Sequence, residues 1–412
     1  MNRTCGERSR LGRLSRTIAI AALLCLGLTA FAQDKPRFVV HEWGTFTTVS
    51  GGDGVALEWR PLSGPSDLPS FVYGSRTAAR GLRHGQACDK CGHFGCGCGD
   101  KCTPSRNGDG CTCKGCFRGD VRMETPVLYF YADKETTVSV KVDFPKGRIT
   151  EWYPKARAVG RGIDWGGVRI LPGAAPQLPR ETGESHYYPA RETDACPVRV
   201  CGAPIQHEKF LFYRGAGSFP LPVQVGLEGS RVRVRAEQPI ADLVLLECSA
   251  GKATYSLHRD VRGEAILDRP SRPSETIGED VASILVRHGL YAKEARAMVK
   301  TWQDTWFGDE GLRAFYIVPR KVTDAILPLT IEPAPAECVR VLVGRAEVLT
   351  PEFEKRVMEN VAGLGDDSVE RRDQAMAALR RVSRFVEPIL KRALEKTNDS
   401  EVRARLRELL GG

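Results

Sequence analysis

The sequence lacks the short motifs by which common enzyme classes are identified. It contains no HExxH, no GxSxG, no P-loop and no Rossmann glycine pattern. CxxCH is also missing, which excludes covalent c-type haem. Acidic and basic residues are interleaved along the chain, and no block of like charges occurs. No nucleic-acid partner is therefore predicted. These absences leave the function to be argued from composition, cysteine spacing and element pattern.

Long apolar runs are equally scarce, and the one that is present lies near the N-terminus. Five arginines precede the run Ile18–Ala32, which ends in the small-x-small triplet Ala-Phe-Ala. This order predicts a signal peptide over 1–32, and the run is shorter than the roughly 20 residues that a membrane span requires. We therefore expect an exported protein, periplasmic or extracellular, with no stable membrane span after cleavage. The signal carries +4 of the total charge of +9, which leaves +5 on the mature chain.

The next segment is rich in strand-like phrases. Runs such as TTVSVKVDF, SRVRVRAE and ADLVLLECSA alternate or are β-branched, and Gly and Pro separate them. No long helical pattern lies between them, so the sequence predicts a mainly β body over 33–270, antiparallel and sandwich-like.

From 271 to 349 the pattern becomes mixed. Helical spacing begins at Glu279 and stops near Gly289, and a second helix is predicted from Lys293 to Trp306. The phrases AFYIVP, AILPLTI and CVRVLVGR that follow are typical of strands. We expect this α/β segment to complete the body.

The last segment, 350–412, is predicted to be helical. Thr350 and Pro351 supply a capping hydroxyl and a proline at the first helical position. The phrase from Asp366 to Leu410 resembles the HEAT-type helical repeat, which implies stacked helix pairs that bind another protein. Such stacks need about three repeats to be stable, so the tail is expected to dock on the body or on a partner. A plain helical hairpin that packs on its own body is the alternative.

A cysteine-rich insert at 84–118 is the strongest local signal. Its eight cysteines have too few large apolar neighbours to fold without a covalent or metal link. An oxidising compartment favours disulfides, two four-thiolate zinc sites are the alternative, and an iron–sulfur cluster is disfavoured. The cysteines are Cys88, Cys91, Cys96, Cys98, Cys102, Cys111, Cys113 and Cys116. A further short disulfide loop is expected between Cys196 and Cys201.

Three histidines of the body have carboxylates nearby in sequence. His41, His186 and His207 are the candidates for a catalytic or zinc site, although structural histidines are the more common case. The phrases HEWGTFT, RETDA and EKFLFYRG resemble those of uncharacterised exported bacterial proteins, a resemblance that implies no activity. The sequence therefore favours an exported binding or scaffold protein. The alternative is an extracytoplasmic hydrolase, with zinc as a candidate cofactor.

Overall fold

A computed structural model describes residues 38–59, 67–74 and 120–410. The predicted signal peptide and all eight cysteines of the insert lie outside the described residues. The strands are β1 (Phe38–Gly51), β2 (Tyr73–Gly74), β3 (Val121–Ala132), β4 (Thr136–Asp143), β5 (Gly147–Tyr153), β6 (Ala158–Gly160), β7 (Gly162–Ile170), β8 (Val198–Val200), β9 (His207–Glu208), β10 (Leu211–Gly217), β11 (Val223–Glu228), β12 (Arg231–Ser249), β13 (Lys252–Leu267), β14 (Arg272–Pro273), β15 (Gly311–Ile317), β16 (Leu329–Glu332) and β17 (Glu337–Leu349).

Within the described residues, six α-helices follow or separate the last strands. They are α1 (Ile277–Arg287), α2 (Ala292–Gly308), α3 (Arg320–Ile326), α4 (Pro351–Gly363), α5 (Val369–Lys396) and α6 (Ser400–Leu409). Short 3-10 turns occupy Tyr188–Arg191 and Ser274–Thr276. None of these helices, which are those of the described residues, combines the length and apolarity needed to cross a membrane.

The described strands form two sheets, so the predicted mainly β fold is confirmed. The larger sheet has the order β14-β13-β12-β15-β17-β1-β3-β10-β5-β2, with β11 beside β12, and the smaller has β16-β4-β7-β8-β9, with β6 beside β7. All neighbours are antiparallel except β1 and β17, which run parallel at the centre of the larger sheet. β15 and β17 come from the segment 271–349, which therefore supplies central strands of the body.

The two sheets pack face to face around one apolar core. Alternation places Val138, Val140 and Val142 of β4 in this core while the residues between them are exposed. Phe46 of β1 and Leu245 of β12 enter it from the larger sheet. Burial of these faces is the main stabilising contribution to the sandwich, as predicted for the body.

A helical hairpin covers the other face of the larger sheet. α1 and α2 are joined by a four-residue turn in which Gly289 has a φ of +109°, a backbone conformation that glycine adopts without strain. Their apolar faces pack on the sheet through Leu285, Trp302 and Trp306, and Trp43 of β1 lies in the same cluster. The sheet thus has the sandwich core on one side and the hairpin on the other.

The C-terminal helices dock on the body. Thr350 caps α4 by accepting a hydrogen bond from the Phe353 amide at 3.2 Å. The ring of Phe385 on α5 packs on Trp59 with centroids 5.9 Å apart, and the Arg345 guanidinium lies 4.9 Å from the same ring. The tail's apolar side chains thus pack among its own helices and on Val49, Trp59 and Leu349 of the body. Its assignment to the HEAT type stays a prediction.

The expected disulfide between Cys196 and Cys201 is not formed. Both side chains are unpaired thiols. β8 lies between them and extends the chain by about 3.3 Å per residue. The two Cα atoms are thus held beyond the roughly 7 Å that a disulfide can bridge.

Candidate functional site

Helix α2 anchors the hairpin to the sheet through two separate histidine clusters. The first lies at its N-terminal turn, where Glu294 is fully buried. His41 Nδ1 of β1 lies 2.7 Å from Glu294 Oε2, and the Tyr131 hydroxyl donates to Oε1 at 2.8 Å. The Tyr291 amide donates to Oε2 at 2.7 Å, which makes Glu294 part of the helix cap as well. One carboxylate thus accepts three hydrogen bonds.

The contacts of the first cluster match one tautomer of His41. A carboxylate oxygen can only accept, so an ionised Glu294 pairs with the tautomer that carries a proton on Nδ1. Burial, followed by the charge of Glu294, raises the pKa of Tyr131 well above its usual value, so its hydroxyl remains a donor. The described residues provide no hydrogen-bond partner for Nε2 of His41, whose side chain is only 1% exposed. Access of a substrate to His41 is therefore very restricted.

The second cluster lies near the C-terminal end of α2. His186 places Nδ1 3.0 Å from Asp67 and Nε2 2.8 Å from Asp304 of α2. Arg214 of β10 donates to both oxygens of Asp67 at 2.7 Å, and the Trp302 ring lies 4.9 Å from the imidazole. With a carboxylate on each nitrogen, the imidazolium form has no lone pair with which to accept a proton or bind a metal ion. The geometry is that of an ion-pair network.

The electrostatics of the second cluster agree with its geometry. Burial disfavours the charged imidazolium, but the hydrogen bonds that its ring N–H groups donate to Asp304 and Asp67 outweigh burial and raise the pKa of His186 to about 9. Burial also opposes the charge on Asp67, yet the guanidinium of Arg214 lowers the pKa of Asp67 far below its usual value. His186 is thus positively charged at neutral pH.

We expect the contribution of His186 to stability to disappear at alkaline pH. The pKa of His186 rises from 6.5 when unfolded to about 9 when folded, so its contribution is complete below 6.5 and is lost as the pH rises through 9. Urea unfolding at pH 7 and pH 10 should therefore show a smaller gap between wild type and His186→Gln at pH 10. His258→Gln is the matched control. Burial lowers the pKa of His258, so the folded protein holds this side chain neutral at both pH values, and the stability difference between wild type and His258→Gln should be the same at pH 7 and pH 10. An unchanged gap for His186→Gln would contradict the prediction.

The structure does not bring the three predicted histidines together. Glu294 and Asp304, which contact His41 and His186, are ten residues apart on α2, or about 15 Å along the helix axis. His207 lies on β9 of the smaller sheet, opposite Arg199. Among residues 38–59, 67–74 and 120–410, no group of three or more His, Cys, Asp or Glu is placed to hold a metal ion.

Sequence reasoning missed the charged partners of these histidines. Glu294, Asp304 and Asp67 carry no motif, and Tyr291 is an unusual residue at a helix cap. The capping-box spacing from Tyr291 to Glu294 is the one local signal that could have indicated the buried carboxylate.

The three phrases singled out in the sequence are linked by buried polar contacts. Glu42 of HEWGTFT accepts a hydrogen bond from the Tyr213 hydroxyl of EKFLFYRG and pairs with Arg340. Arg191 of RETDA donates to both oxygens of Glu208 at 2.9 and 2.6 Å. These residues are buried or nearly so, and their contacts join distant parts of the chain within the body.

On its outer side, the hairpin leaves an open groove between α1 and α2. The groove encloses about 1020 Å³, at the upper end of the range for ligand sites. Gly278, Ala282 and Val286 follow one another at four-residue spacing on α1, so they share one face of the helix. Because Gly278 has no side chain and Ala282 has a small one, the space between the two helices is not filled along this face. Ala292, Ala297 and Val299 contribute from α2.

The rim of the groove is divided by charge. Glu275 lies in the 3-10 turn before α1 and Glu279 in the first turn of α1, whereas Arg296 lies in the first half of α2, near the turn. All three are exposed, and none has a hydrogen bond or ion pair with a described residue. Lys293 and Lys300 also line the groove but pair with Asp194 and Glu192. The unpaired charges are thus acidic at the open end of the hairpin and basic toward the turn.

Comparisons with known proteins give little further guidance. No protein-family model matches the chain, and no curated protein matches it. Among solved structures, the chain is similar to the Mu homology domain of Fcho1 from Danio rerio, whose structure holds a bound Eps15 peptide. Identity is 8%, coverage is 77% of this chain and 99% of that chain, and the TM-score is 0.27. A TM-score this low carries no argument about the fold or the function of the chain.

Proposed function

We propose that this chain is an exported binding or scaffold protein that docks a protein partner on the outer groove of the α1–α2 hairpin. The observation that carries the proposal is the groove itself, which combines an apolar floor with unpaired charges on its rim. Val286, which lines the groove, is 42% exposed although it is a large apolar residue. An exposed apolar surface with a polar rim is typical of a protein-interaction site.

The histidine clusters support this proposal from the inner side of the same hairpin. His186 has a carboxylate on each ring nitrogen, and His41 is buried under the first turn of α2. Both therefore act to hold the hairpin on the sheet. A hairpin anchored in this way presents a rigid outer face, which reduces the entropy lost on binding.

The tail is the second surface proposed for a protein partner. Its apolar face packs on the body, so a partner would meet the outer surface, where Met358 is 39% and Val369 is 54% exposed. These two residues are isolated on a charged surface, whereas the groove offers a continuous apolar floor. We therefore place the main docking site on the hairpin.

Site-specific photo-cross-linking tests the proposal in cells that express the full chain. A benzophenone side chain replaces Val286 in the groove, Met358 on the tail or Ile205, which is 69% exposed on the body and serves as the control. We expect an adduct of defined mass from Val286, its loss when Arg296→Glu is added, and no adduct from Ile205. Identical adducts from Val286 and Ile205, or none from Val286, would reject the groove as a docking site. An adduct from Met358 alone would move the site to the tail.

An extracytoplasmic hydrolase is the second candidate, and it requires that a substrate reach His41, whose side chain is only 1% exposed. His41 has its Nδ1 engaged by Glu294 and no described partner for Nε2, which is the arrangement of a general base oriented by a carboxylate. Zinc, proposed as its cofactor, would need ligands beyond His41, since His186 and His207 lie elsewhere. Hydrolysis of p-nitrophenyl acetate that is lost in His41→Gln would favour this candidate, and equal rates in both proteins would reject it.

A further inference from the structure

The groove is self-complementary, because its unpaired acidic and basic groups lie at different positions along its length. The antiparallel packing expected of a short helical hairpin places Glu279 beside the later part of α2, whereas Arg296 lies beside the middle of α1. If a second hairpin faces the first in the opposite direction, each acidic end meets the basic part of the other. A two-fold axis that lies in the interface, perpendicular to the length of the groove, produces this arrangement. Two-fold symmetry is the commonest symmetry in homo-oligomers.

We infer that the occupant of the α1–α2 groove is a second copy of this chain, which forms a two-fold dimer through paired hairpins. This inference rests on the proposed docking role of the groove and names its partner. Glu279 of one copy pairs with Arg296 of the other, and the same contact occurs twice because the interface is symmetric. The four helices then bury the small-residue floors against one another.

The exposed apolar residues of the hairpin fit this partner. Val286 lies on the floor of the groove and is 42% exposed, so it is available to the facing copy. The facing copy carries the same small residues, so its Val286 is the larger apolar side chain that enters the part of the groove lined by Gly278 and Ala282, as ridges pack into grooves between helices. Charge sets the direction of the two hairpins, and apolar contact supplies most of the affinity.

Other partners are less well matched by the observed charges. A strongly acidic or strongly basic segment would leave either Glu275 and Glu279 or Arg296 facing a like charge. A segment that carries both charges in the reverse order matches both parts of the rim, and the chain's own hairpin is such a segment.

Sedimentation velocity of the full mature chain over a range of concentrations tests the inference. Wild type is expected to form dimers, and Arg296→Glu or Glu279→Arg alone is expected to weaken association by about tenfold or more, since each creates two like-charge contacts. An equimolar mixture of the two single variants should recover the dimer, because each acidic site then faces a basic one. Arg262→Glu, an equal charge change on the exposed part of β13, is the control and should leave the dimer unchanged.

The outcomes separate this inference from the proposed function. A wild-type chain that stays monomeric, or a dimer that survives both reversals, overturns the inference. If the chain is monomeric and Val286 still cross-links to another protein, the groove remains a docking site with a different occupant. If no adduct forms at Val286, both the docking role of the groove and the paired-hairpin dimer are rejected. Recovery of the dimer in the mixed sample cannot come from misfolded variants, so it would establish the paired groove directly.

Discussion

Replacing Glu42 by alanine is expected to lower the free energy of unfolding by about 3–5 kcal/mol, because it leaves a buried guanidinium without its main partner. The side chains of Glu42 and Arg340 are both fully buried. Burial alone would lower the pKa of Arg340, but the charge of Glu42 outweighs burial and raises that pKa above its usual value. Arginine stays protonated in proteins, so the positive charge persists when Glu42 is removed, with Asp324 and the Leu327 carbonyl as its remaining partners. The Tyr213 hydroxyl also loses its acceptor.

Two further variants identify the cause of that loss. Glu42→Leu combined with Arg340→Met removes both charges and should be more stable than Glu42→Ala, since an apolar pair of similar volume can replace a buried ion pair at little cost. Glu264→Ala breaks an exposed pair with Arg235 and should cost at most about 1 kcal/mol. Urea unfolding curves provide all three values. Equal losses for Glu42→Ala and Glu264→Ala would contradict a special role for the buried pair.

The sequence was informative where a residue's environment depends on its near neighbours. β4 could be predicted because alternate residues of Thr136–Asp143 are buried and exposed, a pattern that a strand imposes. α4 could be placed because Thr350 and Pro351 define a helix start in any context. The prediction that AILPLTI forms a strand was only partly correct, since Leu329–Glu332 is a strand but Ala325 and Ile326 end α3.

Contacts between distant segments could not be predicted in this way. β1 and β17 pair in parallel although Val39 and Glu337 are about 300 positions apart, and nothing within either strand specifies the direction of its neighbour. The histidines were grouped because of their residue type, but His41 and His186 each pair with an acidic residue of α2 that carries no motif. A charged partner at long range becomes visible only when the fold is known.

The buried pairs that link the three phrases explain why those phrases contain so many polar residues. Glu42, Tyr213 and Arg340 connect β1, β10 and β17 of the larger sheet. Arg191 and Glu208 connect the turn after β7 to the smaller sheet. Each charge lies in a buried or nearly buried position where a misplaced partner would be costly, so these contacts restrict the chain to one arrangement of its strands. We therefore interpret these polar residues as determinants of the fold.

The largest effect expected at the hairpin itself is that of Glu294→Ala. The substitution leaves the buried Nδ1 of His41 and two partly buried donors, the Tyr131 hydroxyl and the Tyr291 amide, without this acceptor, and we expect a loss of about 3–5 kcal/mol. Glu294→Gln retains one acceptor oxygen and the side-chain volume, so its loss should be about 1–2 kcal/mol.

Urea unfolding measures both losses, and hydrogen exchange locates them. Faster exchange in the Ala variant should be concentrated in the first turn of α2, because the helix cap and the anchor to β1 depend on the same carboxylate. An Ala variant within about 1 kcal/mol of wild type would mean that the three donors find water instead. Arg296 is only five residues beyond the cap residue Tyr291, so a loosened first turn would also leave the position of the Arg296 side chain in the groove less well defined. Glu294→Ala should therefore weaken the paired-hairpin dimer without altering any residue that lines it, whereas Glu294→Gln should preserve it.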